Sequence, residues 1–357
     1  LKLADVRKIA VLRANGLGDF LFALPALEAL RAACPAAEIV LLGLPWHGPF
    51  LAGRPSPVDR VVVVPAARGI REEPGLAEDG EELALFFSAM ERERFDIAFQ
   101  MHGGGRHSNP FVLKIKARLS AGLRTPDAAA LDLWAPYVYF QPEIIRYLEV
   151  ASLVGARAVT LEPAVSVTDG DREECRSVLG DGEERLVALV PGAGDGRRRW
   201  PPEKFAEVGD YLASHGVRIV IPGIDSERAV IEAVIGRMRQ KALNLCGRLS
   251  LKGLTGLLSR CALVVGNDSG ALHLAHAVGA PTVGIYWCGN VFTAGPVTRA
   301  RHRPVLSWRL DCPVCGANCI YSKCDHRESF VADIPADEVI GEAVDQLRVA
   351  RRLSAGR

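Results

Sequence analysis

The sequence predicts an α/β protein of two successive doubly wound domains, each a parallel sheet covered by helices. Three observations carry this. Short apolar runs alternate with helical spacing from Lys8 to Gln100, the alternation restarts at Leu186, and the strand ends of both halves are rich in Gly, Asn and Asp. A chain of 357 residues that is 49% hydrophobic can bury two cores.

In chain order, "KIAVLR" reads as a strand, "LFALPALEALRAAC" as a helix, and "EIVLLGL" and "RVVVVP" as strands. "EELALFFSAMERE" follows as a helix and "FDIAFQ" as a strand. "LRTPDAAALDLWAPYVYFQPE" has three prolines and little periodicity, which predicts a loop before a helix starting near Glu143. The second half repeats the pattern through "LVALVPG", "VRIVIPG", "CALVVGND" and "PTVGIYW", with helices between them. A loop-rich, cysteine-bearing stretch follows Trp287, and Pro335 opens a last periodic helix. The expected division is 1–165, 166–335, and a terminal helix 336–357 packing back towards the first domain. Ligands in such sheets sit beyond the carboxyl ends of the strands, so the two domains are expected to face a central cleft.

Lys plus Arg (43) balance Asp plus Glu (42), so no global field favours nucleic acid or an anionic membrane. There is no signal-peptide pattern and no apolar run of about 18 residues, so a cytoplasmic protein is expected, at most peripheral at the inner face of the inner membrane. Of nine cysteines, Cys34, Cys175, Cys246, Cys261 and Cys288 stand singly and read as small core hydrophobes.

Three strand ends carry candidate chemistry. The first, Gly16-Leu17-Gly18, lacks the third glycine of a dinucleotide fingerprint, because Leu21 stands there, and no acidic residue ends "EIVLLGL". A nicotinamide enzyme is therefore disfavoured. Asp19 follows at a helix start, where it reads as an N-cap worth about 1 kcal/mol or as a catalytic group. The second, "LVPGAGDGRRRWPPEKF", places Gly192, Ala193 and Gly194 before Arg197, Arg198 and Arg199. Backbone N–H groups, a helix N-terminus and guanidinium groups together suit a phosphate. In the third, "VVGNDSGALHLAHAVGAP", Asn267, Asp268, Ser269 and Gly270 cap a helix that carries His273 on its first turn. His276 lies three residues further on, but no third ligand is near enough in sequence for zinc.

Together these stretches resemble glycosyltransferase family 9, the ADP-heptose:lipopolysaccharide heptosyltransferases, which have the two-Rossmann GT-B fold. The resemblance covers most of the chain, and its two specific patterns are Gly-Asp-x4-Leu-Pro and Asn-Asp-Ser-Gly-x2-His-Leu-Ala. It implies an inverting transfer from an ADP-sugar, expected to be ADP-heptose, to a hydroxyl of a glycan, glycolipid, protein or small molecule. The first domain then binds acceptor and the second binds donor. Asp19 matches the family's base. Arg198 stands where a lysine contacts phosphate, and Arg197, Arg199 and the Gly192–Gly194 loop complete that side. Ala193 and Gly194 replace a hydroxyl-bearing pair, and Ser269 replaces a threonine. Asp225, with Glu227 as competitor, corresponds to the ribose ligand, Leu249 lies near adenine, and Asp268, Ser269, Gly270 and His273 form the phosphate loop.

No metal is expected for transfer, because arginines and a helix N-terminus can stabilise the departing diphosphate. Gly16, Gly18 and the loop "HGGGRHSN", with His102, Arg106 and His107, are the expected acceptor contacts, and "ARGIREEP" is a charged loop beside them. "DCPVCGANCIYSKCDH" sets Cys312, Cys315, Cys319 and Cys324 at spacings that suit a structural zinc or iron, with His326 just beyond. Related autotransporter heptosyltransferases hold iron through cysteines. Two other classes stay open: a GT-B sugar-nucleotide epimerase, and a non-catalytic, metal-stabilised binding protein.

Overall fold

The computed structural model describes residues 2–182, 184–322 and 324–355. The chain divides between Ser166 and Val167 into two compact units. In the first unit the strands are β1 (Lys8–Leu12), β2 (Glu38–Gly43), β3 (Arg60–Val63), β4 (Ile97–Gln100), β5 (Leu119–Arg124) and β6 (Leu133–Pro136). They form one parallel sheet in the order β3-β2-β1-β4-β5-β6.

The second unit has β7 (Leu186–Val190), β8 (Arg218–Gly223), β9 (Ala242–Cys246), β10 (Cys261–Asn267), β11 (Thr282–Trp287) and β12 (His302–Ser307), ordered β12-β11-β10-β7-β8-β9 and also parallel. Each sheet reverses its winding at one seam, between β1 and β4 and between β7 and β10. Crevices for ligands open at such seams. The three strand ends singled out by sequence are those of β1, β7 and β10, and therefore line the two seams.

The central strands are buried on both faces, which is why they read as continuous apolar runs. The described residues include strands the periodicity misses. β5 is interrupted by Ser120 and Gly122, and β6 is a four-residue edge ending in Pro136. Both depend on tertiary partners: the Asp132 carboxylate accepts from Ser120 N (2.7 Å) and Oγ (2.6 Å), and a Cβ at Gly122 would stand 2.7 Å from the Gln100 carbonyl oxygen. Proline is tolerated at an edge because no ladder bond is lost there. β12 lies in the stretch expected to be loop, and helix Asp169–Leu179 is likewise unpredicted. That helix opens on Asp169-Gly170-Asp171, the chain's single Asp-x-Asp, whose Asp171 closes a capping box with Thr168.

The final helix, Ala336–Ala355, packs on helix Pro202–Ser214 and the second sheet, with Val339, Ala343 and Leu347 in that unit's core. It belongs to the second unit, where the sequence reading sets it apart. The five single cysteines are all buried and free. Among the described residues, no helix is long and apolar enough to cross a membrane.

Candidate active site

At the first seam, β1 runs into helix Leu17–Ala33, whose N-cap is Gly16, with no side-chain capping bond. Asp19 is therefore not the cap, because it is the third residue of the helix's first turn, past the extended cap position that such a bond requires. Its carboxylate instead meets Arg13 at the end of β1, Nη2–Oδ1 3.0 Å. Arg13 is 3% exposed whereas the Asp19 side chain is 48% exposed, so the carboxylate faces solvent and its guanidinium partner lies beneath it.

His102, at the end of β4, accepts from Ala14 N (3.3 Å) through Nδ1 and donates from Nε2 to the Gly69 carbonyl (3.1 Å). Those roles require the neutral ring. Burial, reinforced by the Arg13 charge, lowers its pKa to about 4. His102 thus ties β1 to the 67–74 loop. His107 is exposed and covers Gly69, which takes a positive φ of 69° and would place a Cβ 2.7 Å from that ring. Arg106 is largely exposed and 3.8 Å from Asp127.

At the second seam the three arginines have three different partners. Arg197 forks onto Asp195 (Nε–Oδ2 2.9 Å, Nη2–Oδ2 2.5 Å), and Arg199 donates twice to the Ala193 carbonyl (3.0 and 2.8 Å). Arg198 reaches across to Asp268, Nη1–Oδ2 3.0 Å. Asp268 is buried and also bonds to His273 Nε2 (3.0 Å) and Asn290 Nδ2 (3.1 Å). Burial pushes its pKa up, but the His273 bond and the His273 and Arg198 charges outweigh it and hold the carboxyl below its ordinary range.

Ser269 is the N-cap of helix Gly270–Ala277, makes no side-chain cap bond, and has a buried Oγ without a hydrogen-bond partner. His276 is separate: its Nε2 meets Thr282 Oγ1 at 2.9 Å, and burial drives its pKa well down. Asp225 is exposed and paired with Arg228, and Glu227 accepts from Ile224 N (3.1 Å) with its carboxylate set against Gly192. Leu249 is half-buried.

Of two further residues of this seam, the sequence reading groups Asn267 with the helix cap and passes over Asn290. Asn267 is fully buried, donating to the Pro191 carbonyl (2.8 Å) and accepting from Trp200 N (3.1 Å), so it clamps both ends of the 191–200 loop. Its place at the end of β10, next to Asp268, is the only sequence signal. Asn290 has none.

The cysteine stretch gathers Cys312, Cys315, Cys324 and His326, with all four ligand atoms within 4.8 Å of one another. His326 takes the place expected for Cys319, whose Sγ points to the Ala317 carbonyl (3.4 Å) and lies 3.8 Å from the Cys324 sulfur. The His326 Nδ1 is buried without a partner. The Cys312 thiol is lowered to about 7, led by the Cys315 backbone N–H. The chain beyond the cluster holds the 191–200 loop, with Phe330 N on the Arg197 carbonyl (2.8 Å) and Ser329 Oγ on the Arg199 carbonyl (2.6 Å).

Residues 84–310 match glycosyltransferase family 9 (heptosyltransferase). The chain is 26% identical over 299 residues to lipopolysaccharide heptosyltransferase 2 of Salmonella typhimurium, covering 78% of this chain and 82% of that protein. Its fold is similar to that of the glycosyl transferase family 9 protein from Veillonella parvula, with TM-score 0.78, 21% identity, and 98% and 99% of the two chains covered. It is also similar to E. coli ADP-heptose lipopolysaccharide heptosyltransferase II, with TM-score 0.75, 19% identity, and 96% and 98% covered. The fold is GT-B, and the chain belongs to glycosyltransferase family 9.

Proposed function

We propose that the protein transfers heptose from ADP-heptose to a hydroxyl of a lipopolysaccharide core, with inversion at the anomeric carbon. The single observation that carries this is the arrangement at the second seam. The buried, unpartnered Ser269 hydroxyl sits at the N-cap position of helix Gly270–Ala277, beside a loop whose Arg198 is braced by Asp268, a cradle for a diphosphate.

In this reading Arg198, the Gly192–Gly194 backbone, Ser269 and Gly270 take the diphosphate, and Arg197 and Arg199 shape the loop through Asp195 and Ala193. His273 holds Asp268 in place. Asp225 takes the ribose hydroxyls, exchanging its pairing with Arg228 for them; Glu227 sets the strand end and Leu249 lies against adenine. On the acceptor side, Arg106 and His107 offer exposed polar contacts, His102 fixes the loops beneath them, and Gly16 and Gly18 leave room beside Asp19.

The reaction is one displacement. The acceptor oxygen bonds to the anomeric carbon, the bond from that carbon to the ADP oxygen breaks, and ADP leaves with the electron pair. Asp19 accepts the hydroxyl proton. Arg198 and the helix N-terminus at Ser269 stabilise the charge that grows on the diphosphate.

The donor set Cys312, Cys315, Cys324 and His326 fits a zinc or iron ion, because three soft sulfur ligands and an imidazole nitrogen converge, and the His326 Nδ1 is buried without a partner. Such an ion supplies a structural cross-link for the tail that braces the Arg197–Arg199 loop. In this reading the protein meets a lipid-linked acceptor at the membrane surface.

The deciding experiment is turnover of Asp19→Asn with ADP-heptose and heptose-deficient lipopolysaccharide. Loss of on the order of 10²-fold or more in kcat, with ADP affinity retained, supports the base. Near-normal turnover removes Asp19 from that role.

A further inference from the structure

Arg13 is a buried arginine whose three nitrogens all donate hydrogen bonds. Its Nε donates to the Asp19 carbonyl (2.9 Å), and Nη1 donates to the Met101 carbonyl (3.0 Å) and Asn15 Oδ1 (3.2 Å). Nη2 donates to Asp19 Oδ1 (3.0 Å) and faces Glu143 Oε2 at 3.6 Å. One guanidinium therefore holds the main chain and the side chain of Asp19 at once, and ties both to the end of β4. Its plane lies over the Tyr147 ring, 4.8 Å from the centroid, which fixes the fork from the side.

The second carboxylate in the cluster, Glu143, is itself occupied. It pairs with the buried Arg146 and accepts the Tyr147 hydroxyl, whose pKa burial raises to about 12, so that hydroxyl stays a donor. Arg13 thus lies between an exposed carboxylate and a partly buried one that Arg146 and Tyr147 already engage. The Asp19 Oδ1 is held by Arg13, while Oδ2 lies on the side of Gly16, where a Cβ would stand in ordinary contact at 3.6 Å.

We propose that Arg13 is a positioning residue for the transfer: it fixes the Asp19 carboxylate through Oδ1 so that Oδ2 is the oxygen presented to the acceptor hydroxyl. The proposal rests on Asp19 being the base. Arg13 itself is 3% exposed, which leaves its guanidinium beneath the Asp19 carboxylate and not at the surface, so in this proposal it acts through Asp19. The fork, not the charge, does this, because a lysine in the same place supplies a cation but cannot hold two groups of Asp19 and the Met101 carbonyl together.

The experiment is a double-mutant cycle on kcat with Arg13→Lys, Asp19→Asn and the double variant, using ADP-heptose as donor and heptose-deficient lipopolysaccharide as acceptor. Arg13→Gln is run in parallel, and thermal melts and ADP calorimetry identify any variant that has not folded. The expected result is a loss of at least tenfold for Arg13→Lys in the wild-type background and less than twofold in the Asp19→Asn background, with ADP affinity unchanged. Losses that multiply in the double variant overturn the positioning role, since Arg13 then acts independently of Asp19. Full activity in Arg13→Lys overturns it as well. If Asp19→Asn alone turns over normally, the base assignment fails first and the positioning role falls with it, a result distinct from the other two.

Discussion

Arg198 and Asp268 meet across 70 residues of sequence, Nη1 to Oδ2 at 3.0 Å, joining the loop after β7 to the end of β10. The pair is asymmetric. Asp268 is 1% exposed and bound by three donors, whereas the Arg198 side chain is 29% exposed and keeps N–H groups free to turn to a ligand. The carboxylate therefore aims the guanidinium instead of neutralising it in the interior.

Replacing Arg198 by Ala is expected to weaken ADP binding by roughly 1–3 kcal/mol, the range for a charge-assisted contact. Arg198→Lys should fall between, since the charge remains but the fork is lost. Calorimetry with ADP measures both, and unchanged affinity in the Ala variant would reject the diphosphate site.

Asn267→Ala removes a buried amide that serves the Pro191 carbonyl and the Trp200 N–H together. Two buried backbone groups lose their partner, so stability should fall by about 2–4 kcal/mol. ADP affinity should fall as well, because the clamped loop carries Arg198. Urea titration and calorimetry on the same preparation separate the two effects.

His102 and His47 are both buried, and burial lowers each pKa to about 4. An unfolded imidazole takes up its proton near pH 6.5, so between pH 6.5 and 4 the unfolded state binds more protons and stability falls as pH falls. The contribution is complete above pH 6.5. Between pH 7 and pH 5 the loss should be on the order of 2–4 kcal/mol for the two rings together. Asp268, with its pKa lowered, contributes at all those pH values and loses its share only in stronger acid. Buried His276 adds to the same slope, so urea unfolding at pH 7, 6 and 5 checks it and His102→Gln should reduce it by about a third.

If Cys312, Cys315, Cys324 and His326 hold a metal, the purified protein should carry close to one zinc or iron per chain, and Cys315→Ser should lose it with a lower Tm. His326→Ala should behave similarly and Cys319→Ser more mildly, because the Cys319 thiol points to a carbonyl. Elemental analysis alongside thermal melts decides this. A stable metal-free preparation with free thiols removes the site.

The sequence by itself determined what local pattern can carry. Alternating periodicity set out the two sheets, because strands buried on both faces must be apolar throughout. Glycine-rich strand ends and the Asn-Asp-Ser-Gly-x2-His stretch marked the seams, because backbone approach and helix starts need particular residues within a few positions. Tertiary structure decided the rest. It made Gly16 and not Asp19 the cap, and gave Arg197, Arg198 and Arg199, which are alike in sequence, three different partners. It paired the interrupted β5 and β6, and brought His326 into the cysteine cluster where spacing suggested Cys319. The bonds that assign Arg13 and Asn267 reach groups 88 and 76 residues away, so their roles depend on which strands the fold sets side by side, a choice that no window of a few residues contains.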